Sequence, residues 1–215
     1  MNIKSFYFFW FSILMSLTLQ AQSTEKSQNQ PVHDTTFVNL TEYSSAFILD
    51  LRYATENNFL KAKVYDCASC YLRFKTVKKL IEAQDLLKEK GYKIKLFDCY
   101  RPLDVQKKMW QIVPNPIYVA DPAKGSIHNR GGAVDITLVD VNGQELDMGT
   151  EFDYFGSEAS HDYLKLKPEV LKNREMLRNV MVQVGFKMFQ SEWWHYNLPV
   201  EPGFSVANFK WDCKD

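Results

Sequence analysis

Apolar and polar residues recur in two periods along this chain, and those periods lay out its elements. Val77, Leu80, Ile81, Ala83 and Leu87 fall at near-helical spacing, predicting a helix over residues 72–90 that Gly91 stops. Leu171, Leu177, Val180, Met181 and Val184 predict a second over 168–184, ended by Gly185, and a shorter one over 103–113 carries Met109 and Trp110. Alternating stretches predict strands over 46–51 (AFILDL), 92–99 (YKIKLFDC), the AVDITL run from Ala133, 185–190 and 192–198. Residues 56–60 read as a polar turn, and Pro114, Pro116 and Pro122 mark a long loop. Asn142-Gly143 is the strongest hairpin signal in the chain. This mixed order predicts an α+β fold, a single domain with helices packed on a mostly antiparallel sheet.

The first 22 residues follow a different pattern. Lys4 supplies a positive start, residues 6–19 are apolar, and Ala21 is a small residue at a cleavage position, the layout of a secretory signal peptide. The apolar run is short of the roughly 20 residues a membrane span needs. The expected product has a signal at 1–21, a polar, flexible mature N-terminus at 22–36 and a folded domain at 37–215. It would be periplasmic or secreted, with no stable membrane association after cleavage. A length of 215 residues suits one domain with a sizeable core. A formal net charge of zero gives no basic surface for a nucleic-acid partner.

The candidate chemistry centres on residues 125–138, GSIHNRGGAVDITL. One of four histidines, His128, falls on the predicted loop, and Asp135 falls on the strand it feeds. Imidazole and carboxylate are both zinc ligands, and the SEWWHYN segment supplies a third in His195. Three protein ligands leave zinc an open position for water, the arrangement of a catalytic site. Zinc lowers the pKa of such a water to about 7. A carboxylate off the metal must take its proton, and Glu192 is placed for that. Arg101, at the abrupt end of a strand before Pro102, is the candidate for stabilising an oxyanion. Residues i and i+3 of a regular strand face opposite ways, so Glu192 and His195 share a site only if the strand is irregular.

These residues carry a resemblance. Ser126-x-His128-x-x-Gly131-x-Ala133-x-Asp135, Glu192-Trp193-Trp194-His195, Tyr100-Arg101-Pro102 and Met148-Gly149-x-x-Phe152-Asp153 resemble the VanX-type D-alanyl-D-alanine dipeptidases. Tyr53-Ala54-Thr55 followed by Asn58-Phe59 matches as well. These are zinc enzymes of the superfamily that includes D,D-carboxypeptidases, and the likeness runs from about Phe47 to Leu198. It implies one zinc per chain on His128, Asp135 and His195, with Glu192 as base and Arg101 at the transition state. Tyr53, Ser126 and Asp153 would hold the ends of a small D,D-dipeptide. Cys99 is a departure, because the family commonly has glycine before Tyr-Arg-Pro. The family's resistance enzymes work in the cytoplasm, so an export signal here favours periplasmic peptide salvage. A D,D- or L,D-carboxypeptidase acting on peptidoglycan stems uses the same metal chemistry. A zinc-bearing binding module would need neither Glu192 nor Arg101. The number of subunits stays open.

Other residues attract blander readings. His161 lies in a polar loop and His33 in the N-terminal stretch, Arg130 suits a solvated surface as well as a substrate contact, and Trp193 and Trp194 suit packing or a pocket wall. Four cysteines in an exported chain suggest disulfides, and three pairings are open. Cys67–Cys70 with Cys99–Cys213 is the preferred one.

Overall fold

The computed structural model describes residues 31–199 and 203–213; the predicted signal peptide lies outside them. Ten regular elements follow in order. They are β1 (Phe37–Asn39), β2 (Ile48–Leu49), β3 (Tyr71–Arg73), α1 (Phe74–Lys88), β4 (Lys93–Asp98), α2 (Leu103–Ile112), β5 (Ala133–Val139), α3 (Pro168–Gln183), β6 (Lys187–Phe189) and β7 (Glu192–Asn197). A five-stranded sheet runs β2-β4-β5-β7-β6, with β2–β4 parallel and the other pairs antiparallel. The α+β architecture is therefore the expected one, on a mixed sheet. No helix among the described residues is long and apolar enough to cross a membrane.

The predicted helices form, with boundaries set by tertiary contacts. Residues 71–73 continue the apolar pattern of α1 but pair with β1 as a small separate sheet, so the helix starts at Phe74. Gly91, at φ +85°, closes α1 as its amide donates to the Lys88 carbonyl. Pro168 opens α3, where its missing N–H costs nothing. Val77, Leu80 and Leu87 from α1 and Leu177, Val180 and Met181 from α3 join Ile94, Leu96, Val134, Ile136, Leu138 and Tyr196 in one core. Alternate residues of β5 and β7 therefore face the helices, leaving Asp135, His195 and Asn197 for the opposite face. The polar residues just before Phe37 are bonded to α1: the Asp34 and Thr36 carbonyls accept from the Lys75 and Phe74 amides, and Asp34 pairs with Lys78.

Both disulfides differ from the preferred pairing. They join Cys67 to Cys213 and Cys70 to Cys99. The Tyr100 amide donates to the Tyr71 carbonyl, which lays Cys70 beside Cys99 with 5.4 Å between their Cα atoms. Cys67 is left for the C-terminal segment, which returns across the molecule to reach it. Local spacing reveals neither contact.

His161 is buried, and neither ring nitrogen has a hydrogen-bond partner among the described residues. Burial pushes its pKa down to about 4, with Arg178 and Arg174 adding to the shift and Asp162 opposing it. An unfolded imidazole titrates near 6.5, so below that pH the unfolded chain binds the proton first. Stability is therefore expected to fall between pH 6.5 and about 4, by up to about 3 kcal/mol from this group. Urea unfolding of wild type and His161→Phe across that range checks it; the same pH dependence in both would clear His161.

Candidate active site

Asp135 is the centre of the site because of strand register. On one side it pairs with His195 of β7. On the other, β4 takes an extra residue between Leu96 and Asp98, so that Asp98 stands opposite Asp135. His128 reaches the same point from a one-turn 3-10 helix that Gly131 ends at φ +70°. A side chain at Gly131 would also collide with the Phe37 ring.

Three donor atoms converge. His195 Nδ1 lies 2.8 Å from Asp135 Oδ1, His128 Nε2 lies 3.4 Å from the same oxygen, and the two ring nitrogens are 3.2 Å apart. The far nitrogen of each ring is held elsewhere. His128 Nδ1 donates to the Cys99 carbonyl at 2.6 Å, and His195 Nε2 donates to Asn197 Oδ1, as the amide is oriented, at 2.8 Å. Each bond selects the tautomer that leaves a lone pair for a metal ion. Burial alone would raise the Asp135 pKa, but the neighbouring imidazoles outweigh it and hold the carboxyl well below its usual range. This cluster can hold a metal.

Glu192 stands beside the cluster and outside it, its Oε2 3.9 Å from His195 Nδ1. The strand problem is resolved by an irregularity: Met188 pairs with Tyr196 but Phe189 pairs with Glu192, so β7 is not a regular strand between the two residues. Burial raises the Glu192 pKa, toward the range a base working near neutrality needs; Asp135 adds to this and His195 opposes it.

Arg101 is buried, and three of its five N–H donors are engaged. Nε and Nη2 donate to Asp98 Oδ2 at 3.1 and 2.6 Å, Nη1 donates to Gln106 Oε1 at 3.0 Å, and the guanidinium lies 5.1 Å from the Tyr53 ring centre. Burial works against its charge, but the Asp98 carboxylate more than compensates, so Arg101 stays cationic. Asp98 also accepts from Tyr65 Oη at 2.7 Å and the Cys99 amide at 2.9 Å. A buried pair of this kind is strongly destabilised when one partner is removed.

Tyr53 Oη donates to both carboxylate oxygens of Asp153, at 3.0 and 3.2 Å. Asp153 has φ +62°, a conformation uncommon outside glycine. Its pKa is pushed well up, first by burial and then by the negative Asp135. Ser126 is tied to Asn129, whose Oδ1 accepts from both its amide and its hydroxyl. All eight residues singled out from the sequence (Tyr53, Arg101, Ser126, His128, Asp135, Asp153, Glu192 and His195) line one pocket of about 230 Å³.

Residues 33–212 match the family Peptidase_M15, described as D-ala-D-ala dipeptidase. The chain belongs to this family. It is 35% identical over 166 residues to the D-alanyl-D-alanine dipeptidase of Escherichia coli (strain K12), a match covering 77% of this chain and 86% of the relative. It is 29% identical to the enzyme of that name from Enterococcus faecium and 30% identical to that from Streptomyces coelicolor, each match covering 77% of this chain and 93% of the relative.

Within this family site, sequence reasoning missed Asp98, Gln106 and Asn197. A lone acid ending the apolar β4 was the available signal for Asp98; Gln106 and Asn197 had none, because their role lies in what they orient. Trp194 lines the pocket wall, whereas Trp193 donates from Nε1 to Thr150 Oγ1 away from it. Arg130 contacts neither solvent alone nor the pocket: its Nη1 donates to the Phe204 carbonyl.

Proposed function

We propose that this protein is a zinc peptidase that hydrolyses the D-alanyl-D-alanine dipeptide to free D-alanine. Convergence of His128 Nε2, Asp135 Oδ1 and His195 Nδ1 beside an unligated Glu192 carries the reading. Ligands about 2.0–2.1 Å from a tetrahedral zinc stand roughly 3.3–3.4 Å apart, and the three observed separations of 2.8, 3.2 and 3.4 Å approach that value. The donor set of two imidazoles and one carboxylate also suits zinc.

When bound, zinc supplies a water acidic enough to act as a nucleophile near neutral pH. Glu192 takes the proton of the attacking water and returns it to the leaving amine as the peptide C–N bond breaks. Arg101, held charged by Asp98, stabilises the oxyanion that develops on the peptide carbonyl. Asp153 binds the substrate ammonium, while Tyr53 and Ser126 offer hydrogen bonds to the substrate. Two disulfides among the described residues support an oxidising, periplasmic or secreted location.

Purified protein is expected to hold one zinc per chain and to hydrolyse D-Ala-D-Ala, with activity lost on chelation. His128→Ala and His195→Ala should each abolish metal binding. Elemental analysis checks this; full zinc in either variant would remove that residue from the ligand set.

A further inference from the structure

Residues 203–213 form no helix or strand, yet they bond to both loops that supply the site. The Ala207 amide donates to the carbonyl of Asn129, next to His128, and Arg130 Nη1 donates to the Phe204 carbonyl. Gly125 and Gly132 make room for this segment, since a Cβ at Gly125 would stand 2.8 Å from Val206 Cγ2 and one at Gly132 3.4 Å from the Phe204 ring. On the other loop, the Ala207 carbonyl and Asn208 Oδ1 accept from the Leu103 and Asp104 amides at 3.2 and 2.8 Å. Those are two of the orphan N–H groups that open α2, and Pro102 at the cap position makes no side-chain bond to them. Asn208 therefore caps, from the far end of the chain, the helix that begins just after Arg101 and carries its partner Gln106. Phe209 stacks on Tyr100 at 4.6 Å, and Cys213 clasps the end of the segment to Cys67.

We propose that this C-terminal strap is a positioning element of the catalytic site, and that its Cys67–Cys213 clasp makes turnover depend on thiol redox state. The two disulfides differ in access. Cys70 and Cys99 are completely buried, whereas Cys213 is exposed and Cys67 partly so. A dithiol reductant therefore attacks the clasp first. One of its thiolates displaces a clasp sulfur, and its second thiol then closes the reductant's own disulfide. Two electrons and two protons have then passed to Cys67 and Cys213. Release of the clasp frees the strap's end, loosens the α2 cap and the His128 loop, and lets Arg101 drift from its place. A shift of about 1 Å at a catalytic group is enough to cost roughly 100-fold in rate.

The proposal rests on the function proposed above, and the wild-type control separates the two: an inactive, zinc-loaded, oxidised wild type rejects the function, not the strap. Given an active wild type, the test uses the Cys67→Ser/Cys213→Ser variant and, with the clasp intact, Asn208→Ala. Both are zinc-saturated and assayed on D-Ala-D-Ala far below their melting temperatures. The expected result is a kcat at least about tenfold lower with KM within about twofold, because Arg101 acts on the transition state. Limited dithiol treatment of the folded wild type should open Cys67–Cys213 alone by mass mapping, lower kcat alike, and be reversed by reoxidation; this arm stands if the double variant does not fold. A wild-type kcat in the clasp-opened protein, or in Asn208→Ala with only its melting temperature lowered, overturns the proposal.

Discussion

Replacing Glu192 with Gln is expected to leave one zinc per chain in place and to lower kcat by about 10²–10⁴-fold, the usual contribution of a positioned proton-transfer group. The separation of effects follows from the geometry. His128, Asp135 and His195 complete the metal cluster without Glu192, whose nearest oxygen is 3.9 Å from His195 Nδ1. The amide keeps the shape of the carboxylate and removes only its ability to accept a proton. The acidic limb of the wild-type kcat/KM profile should report the Glu192 carboxyl and vanish in the variant's residual rate. Metal analysis beside a pH–rate profile decides the matter. Wild-type turnover by Glu192→Gln would require another base; among the described residues the other carboxylate that lines the pocket outside the metal cluster is Asp153, which is bonded to Tyr53.

The contrast between what the sequence discloses and what it hides is one of range. His128, Asp135, Glu192 and His195 are legible because their side-chain chemistry is nearly sufficient: few other jobs use two histidines and two acids in such motifs. α1 and α3 are legible because a long apolar stripe outweighs everything else in its window. Tyr71–Arg73 is not, since it continues the α1 stripe and becomes a strand only because Phe37–Asn39, more than thirty residues earlier, lies alongside it. The extra residue in β4 that sets Asp98 opposite Asp135 has no local signature either. Cys213 meets Cys67 across a separation of 146 residues, so proximity along the chain favoured the wrong partner for Cys67. In each case the missing information is a distant contact that overrides a local preference.

The second large effect concerns the free amine of the substrate. Asp153 is half-buried, carries a carboxyl pushed well up by desolvation and by Asp135, and has Tyr53 as its hydrogen-bond donor. A substrate ammonium arriving there relieves both penalties and draws the carboxyl into its ionised form. N-acetylation removes that cation and brings a bulkier, uncharged group against the acid, so the ion pair is lost and the carboxyl keeps only its Tyr53 bond. A site built on such pairing can reject the wrong substrate by roughly 10⁴-fold. D-Ala-D-Ala is therefore expected to be cleaved with a kcat/KM about 10³–10⁴ times that of its N-acetyl form, with a stem pentapeptide no better than the latter. Asp153→Ala should lose most of that ratio by slowing the free dipeptide, while the N-acetyl form changes little. The positive φ at Asp153 adds a modest stability cost to this variant, so Asp153→Asn, which keeps the shape and tolerates the backbone, is the control. Measuring kcat/KM for the three substrates with the three proteins resolves the effects. Equal or faster cleavage of the two longer substrates by the wild type would identify a carboxypeptidase acting on peptidoglycan stems, with Asp153 serving the architecture of the pocket instead of its selectivity.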